Sequence, residues 1–184
     1  IIKYIQTNSK LVSLDLSGSK NFSPILKSIP ESSITDLNLS DCIFDNESVN
    51  QLNYVAQFVS ALNITGCNMN YYEVSDVISK VGKKKDSLVS IKLNGLNFSK
   101  ERSFVILRGF LLTDLEKWKS IEMNDTQISS SELFAYQALF LKMINLEHLS
   151  LNSNFKEEDA KTVASLFDIK SLKSFSETAD TSFP

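Results

Sequence analysis

The chain is 184 residues long, 42% hydrophobic, and carries a formal net charge of −3. That is enough apolar material for a core, and it is the wrong sign for a nucleic-acid-binding face, which needs clustered basic residues. No run of some 18 apolar residues is present, so no membrane-spanning helix is expected.

A six-residue pattern, with apolar residues at its first, fourth and sixth places, organises the rest. Ile1, Ile2, Tyr4 and Ile5 read as the last turn of a helix. The pattern then begins at Leu11–Leu14–Leu16 and returns at Ile34–Leu37–Leu39. After the second copy, Asn46 or Ser48 is expected to cap a helix that turns Val49, Leu52, Val55 and Phe58 inward. Val59–Leu62–Ile64 follows, with a helix buried through Val74, Val77, Ile78 and Val81 and ended by Gly82 as its C-cap. Leu88–Ile91–Leu93 precedes a stripe of Phe104, Leu107, Phe110 and Leu111. Trp118–Ile121–Met123 precedes Leu133, Tyr136, Leu139, Phe140 and Met143. Leu146–Leu149–Leu151 precedes Ala160, Val163, Leu166 and Phe167, and a frayed Leu172–Phe175 closes the series. Residues 177–184 are polar and unpatterned.

Self-similarity at a nearly fixed period means a solenoid. Each pattern alternates over its last three residues, the mark of a short strand with one face buried, so the stacked repeats are expected to form a parallel sheet lined outside by helices. The expected organisation is an α/β single domain over residues 1–184, with about six repeats plus partial ends, belonging to a longer chain. Repeat starts lie 23 to 30 residues apart. The shorter early spacings leave little room for outer helix, and the later ones leave room for a full one.

Chemistry is harder to find. His148 is the single histidine; a general base needs an orienting partner and a zinc site needs three or four ligands. Glycine is scarce, and Gly82-Lys83-Lys84-Lys85 follows a helix, where a phosphate loop must precede one. Those lysines are read as complementing a helix C-terminus, with a small anionic contact as the other reading. Glu157, Glu158 and Asp159 suit the opening of the sixth helix in the same way. Cys42 and Cys67 fall eight residues into their repeats and are expected inward as reduced thiols, consistent with a cytoplasmic protein, with a disulfide between neighbouring repeats as the other reading. Six N-x-S/T sequons (Asn21, Asn38, Asn46, Asn63, Asn97 and Asn124) are read as unglycosylated products of an Asn- and Ser-rich chain. No catalytic residue, cofactor or metal is expected, and the chain is read as non-enzymatic.

What remains is surface. The alternation turns small polar residues outward along the concave face, with Asp15, Asp36, Asp41, Glu122 and Asp125 against Lys92, and His148 beside them. These seven are the candidate partner-binding residues, suited to a basic protein partner; the other reading is a solvated concave face with binding elsewhere. Tyr71, Tyr72, Phe134 and Phe140 on the convex side are the candidate aromatic contacts, or else core.

The blocks Leu-Asp-Leu-Ser-Gly-Ser from Leu14, Leu-Asn-Leu-Ser-Asp-Cys from Leu37 and Leu-Ser-Leu-Asn-Ser-Asn from Leu149 resemble the core of leucine-rich repeats of the ribonuclease-inhibitor-like class. The resemblance covers residues 11–175 and implies a horseshoe-like arc that binds other proteins. Ser19, Leu96 and Thr126 stand where that class has Asn or Cys. Within the class, the segment from Gly18 to Leu26, and Ser75–Lys80 running into Ser87-Leu88 and Asn97-Phe98, are similar to the CARMIL family of cytoskeletal regulators. That likeness implies an intracellular scaffold for actin regulators, with the family's capping-protein-binding motif outside the repeats; tropomodulin-like actin binding is an implication of the same kind. Two other functions share the architecture. One is a Ran-type GTPase activator, for which Arg102 after the fourth strand would be the reaching residue. The other is a purely structural spacer.

Overall fold

The computed structural model describes residues 1–87, 89–96, 103–124, 128–151 and 157–177. The chain opens with α1 (Ile2–Thr7) and then alternates strand and helix. The order is β1 (Ser13–Asp15), α2 (Ser23–Leu26), β2 (Asp36–Asn38), α3 (Asn46–Val55), β3 (Ala61–Asn63), α4 (Tyr71–Ile78) and β4 (Val89–Lys92). It continues with α5 (Ser103–Leu111), β5 (Trp118–Met123), α6 (Ser130–Phe140), β6 (His148–Leu151), α7 (Ala160–Ser165) and β7 (Ser174–Glu177). Among the described residues the strands form one seven-stranded sheet in sequence order, every neighbouring pair parallel. The expected solenoid is present, and the frayed seventh pattern is a paired strand.

Register explains why the pattern had to repeat. The middle inward residue of each strand stacks on its neighbour: Leu14 on Leu37, Leu62, Ile91, Ile121, Leu149 and Phe175. From Leu37 to Leu149 these are at most 2% exposed, each contributing about 1.5–3 kcal/mol if fully transferred from water. Among the described residues the single irregularity in register falls between Val89 and Ser90 against β5. It coincides with Trp118, which is wholly buried, stacks edge-on against Phe110 and donates its indole N–H to Thr113 Oγ1 at 2.8 Å. The two cysteines are free and buried as expected. Each thiol donates back to the preceding repeat, Cys42 to Leu16 O at 3.1 Å and Cys67 to Leu39 O at 3.0 Å.

The helices depart from expectation at their ends. Asp45, not Asn46 or Ser48, caps α3: its carboxylate accepts from the Ser48 N–H, and Ser48 Oγ accepts in return from the Asp45 N–H, both at 2.8 Å. Ser48 is therefore the reciprocal partner in a capping box. Helix α4 stops at Ile78 with Ser79 as C-cap, so Gly82 is no cap. It lies in the following turn, where its N–H donates to Ala56 O at 3.0 Å in the previous repeat. Phe104, Leu111 and Phe167, expected in the core, are 51%, 55% and 64% exposed. In α5 Leu107 and Phe110 are buried as expected, and Ile106 joins them in place of Phe104 and Leu111. On the convex side Phe140 is core, Tyr71 is half-buried, and Tyr72 and Phe134 are exposed. The strand start predicted at Leu88 lies outside the described residues.

Helices α4 and α5 approach closely where Gly109 faces Ser75. A Cβ at residue 109 would stand 2.7 Å from Ser75 O, and the Ser75 hydroxyl donates across the same seam to Val105 O at 2.6 Å. In an open helix, Gly→Ala gains about 1 kcal/mol. Here the obstacle is backbone, so Gly109→Ala is expected to lose about 1–3 kcal/mol through overpacking. Urea unfolding followed by circular dichroism measures the sign directly.

Candidate functional site

The sheet presents two outward rows that run across all seven strands. One passes Ser13, Asp36, Ala61, Ser90, Ser120, His148 and Ser174, and the other Asp15, Asn38, Asn63, Lys92, Glu122, Ser150 and Ser176. Period-two alternation is what places these side chains on the concave face.

In the first three repeats the second row closes each strand by an Asx turn. Asp15 accepts from the Ser17 N–H at 2.8 Å, Asn38 from the Ser40 N–H at 3.1 Å, and Asn63 from the Thr65 N–H at 3.0 Å. The Ser17 N–H, then its hydroxyl and Asn38, hold the Asp15 carboxyl below the ordinary carboxylate range. After the strand, the first four repeats each pass through a left-handed residue, Gly18, Asp41, Gly66 and Gly95 in turn, with φ between 57° and 67°. Asp41 is the one residue with a side chain in that row, and aspartate tolerates the conformation better than most. Its carboxylate lies over the Cα of Gly66, in the space a Cβ there would need.

From the fourth repeat the arrangement changes. Lys92 takes the turn-forming place and its ammonium pairs with Glu122 Oε1 at 2.9 Å. Asn94 donates to Glu122 Oε2 at 3.2 Å and accepts from the Asn124 N–H at 2.8 Å. Beyond lies a hydroxyl ladder: Ser150 bonds Asn124 at 2.9 Å and Ser176 at 2.6 Å, and His148 Nδ1 meets Ser174 Oγ at 2.7 Å. His148 Nε2 is 3.9 Å from Glu147. The Glu147 carboxyl is held below the ordinary range chiefly by Lys173, whose ammonium is 2.9 Å away, and by Lys119.

The seven predicted residues thus fall into two groups. Lys92, Glu122 and His148 line a shallow concavity of about 560 Å³ in which the charges are internally paired. Asp15, Asp36 and Asp41 lie at the other end of the sheet, on β1, β2 and the turn after β2. Among the described residues no Lys or Arg stands within salt-bridge distance of these three. Asp125, and Arg102 of the GTPase-activator reading, lie outside the described residues. Sequence reasoning missed Asn94, Glu147 and Ser174, whose roles come from neighbours 26 to 30 residues away. Among the described residues no group of three or more His, Cys, Asp or Glu is placed to hold a metal ion, and no helix is long and apolar enough to cross a membrane.

No protein-family model matches this sequence, and no curated protein does either. Among solved structures, the leucine-rich repeat-containing protein LegL7 from Legionella pneumophila superposes with a TM-score of 0.63 at 21% identity, over 97% of this chain and 60% of LegL7. Actin-binding site 2 of leiomodin-1 superposes with a TM-score of 0.47 at 9% identity, over 91% of this chain and 86% of that one. The likeness to LegL7 is one of fold: the chain adopts the leucine-rich repeat architecture and spans 60% of that protein's length.

The buried thiols give the folded core a chemical control. Burial pushes the Cys67 thiol up to about 12 and Cys42 also upward. Both are expected to resist Ellman's reagent between about pH 7 and 9 in the folded protein and to react fully in denaturant. A raised thiol pKa means that the folded state keeps its proton where the unfolded state loses it. Stability should therefore fall as pH rises above the unfolded thiol value of about 8.5, which pH-dependent urea melts would read.

Proposed function

We propose that this chain is a non-enzymatic protein-interaction module whose concave face receives a basic segment of a partner protein at its N-terminal end. The observation that carries this reading is the division of the concave face. Lys92 and Glu122 neutralise each other, whereas Asp15, Asp36 and Asp41 stand exposed without a cationic partner among the described residues. Unpaired exposed carboxylates of one sign steer a basic partner and set its orientation. The sheet gives them a rigid base, because each strand and turn backbone is bonded to the next repeat. The finer placement, in a cytoplasmic scaffold or actin-regulatory protein, rests on the sequence resemblance alone.

The test is a pull-down from cell extract read by mass spectrometry, with the wild-type chain beside an Asp36→Lys/Asp41→Asn variant. Asparagine at residue 41 keeps a side chain suited to the left-handed backbone there. Partners of the acidic face should bind the variant about tenfold more weakly, a change of about 1.4 kcal/mol, and should weaken with added salt. Actin regulators among them would support the cytoskeletal placement. Equal capture by both proteins would remove the concave acidic face from consideration.

A further inference from the structure

The lysines after α4 need an explanation that the helix dipole does not supply. The dipole's influence is confined to the last turn of a helix, and α4 ends at Ile78. Lys83 and Lys84 lie past that end, in an ordered turn. Lys83 N–H donates to Lys80 O at 3.1 Å, and Lys84 N–H to Gln57 O at 2.9 Å in the preceding repeat. These bonds hold the turn against the end of α3 and fix where its side chains start.

With α3 and α4 this turn forms an open groove of about 780 Å³. Lys80, Lys83 and Lys84 line it together with Asn50, Asn53 and Tyr54. The Lys80 ammonium is 3.3 Å from Asn53 Oδ1, and the Lys84 ammonium sits 4.7 Å above the centre of the Phe58 ring, a cation–π placement. Among the described residues none of the three lysines has a carboxylate within salt-bridge distance, and Asp76 is the one acid lining the groove. Three ammoniums against one carboxylate, on a chain whose net charge is −3, mark a local inversion of sign.

Lys83 also lines a second, narrower cleft of about 190 Å³. Val81, Val89 and Trp118, each no more than 5% exposed, give it an apolar part, and Thr113 and Asp114 line it beside Lys117. Leu112 at its lip is 62% exposed, and Lys117 crosses the rim to donate to Lys85 O at 2.9 Å. A cationic groove running into an apolar slot by way of one shared lysine is a two-part recognition surface.

We propose that this edge of the solenoid docks an acidic linear segment of a partner protein, its carboxylates lying along Lys80, Lys83 and Lys84 and one aliphatic side chain entering the slot over Trp118. The site is separate from the concave face and opposite to it in charge. One module would then hold a basic and an acidic partner at once.

The probe is a fluorescein-labelled dodecapeptide of Glu and Ser with one central Leu, titrated with the full chain and followed by anisotropy. Binding should weaken about tenfold or more in Lys83→Glu/Lys84→Glu, weaken with salt, and weaken several-fold when the peptide's Leu is replaced by Ser. The Lys161→Glu/Lys170→Glu variant makes the same change in net charge on the last repeat and should bind as wild type does. So should Asp36→Lys/Asp41→Asn, which separates this site from the concave one. Circular dichroism melts check that the variants remain folded. The proposal is overturned by any of three results: no saturation up to about 1 mM protein, equal weakening by the two lysine pairs, or equal binding of a peptide with Lys in place of Glu.

Discussion

Strands of three residues, as in β1, β2 and β3, cannot persist by themselves, and the whole molecule follows from how that weakness is removed. The parallel hydrogen-bond ladder does not stop where the strands do. It continues from Leu16, Leu39, Ile64 and Leu93 to the next repeat, at 2.8 to 3.1 Å. It then continues through the left-handed turn, where the N–H groups of residues 18, 41, 66 and 95 donate at 2.8 to 3.0 Å. Buried backbone groups must find partners, and here each repeat satisfies the one before it. Side chains join the same scheme where Cys42 and Cys67 reach backward to strand-end carbonyls.

This one-sided ladder leaves the outer side free to vary. Between β1 and β2 the connection manages only the four residues of α2 and a 3-10 turn at Ile29–Glu31, whereas α6 has eleven. The inner register stays unbroken across that difference, apart from the shift beside Trp118. The convex side is therefore where the repeats differ, and it is there that α4 and α5 close on Gly109 and that the lysine-lined groove opens between α3 and α4. The acids Glu47, Glu73 and Glu132 occupy first turns of helices, where the dipole favours them. Past the opposite end of α4, Lys80, Lys83 and Lys84 gather positive charge.

The inner architecture was legible because its signal is strict. Leu37 and Leu39 must both point inward, so alternation reveals the strand, its facing and the outward place of Asp36 and Asn38 alike. Facing along the helices was less legible. A stripe of Phe104, Leu107, Phe110 and Leu111 fits a helical period, yet the outer layer is one helix thick and buries only one side of it, so Phe104 and Leu111 remain outside. The cap of α3 is Asp45, one residue before Asn46 and three before Ser48, since all three are good capping types and only the bond from the Ser48 N–H decides. The candidate surface was legible residue by residue and not as pairs. Nothing local to Lys92 says that it neutralises Glu122, because the residue opposite on the next strand depends on the length of the intervening connection.

Asp41 and Gly66 belong to neighbouring repeats, are 25 positions apart in sequence, and occupy the same stretch of surface. The carboxylate rests where a side chain at 66 would be, so the direction of a charge is decided by a residue that has none. Changes at the two positions are consequently not independent. A glycine at 66 is the permissive background on which an acid at 41 can lie flat against the arc, and a larger residue at 66 would swing that acid away without altering the composition of the face. Residues of this kind couple the history of one repeat to that of the next.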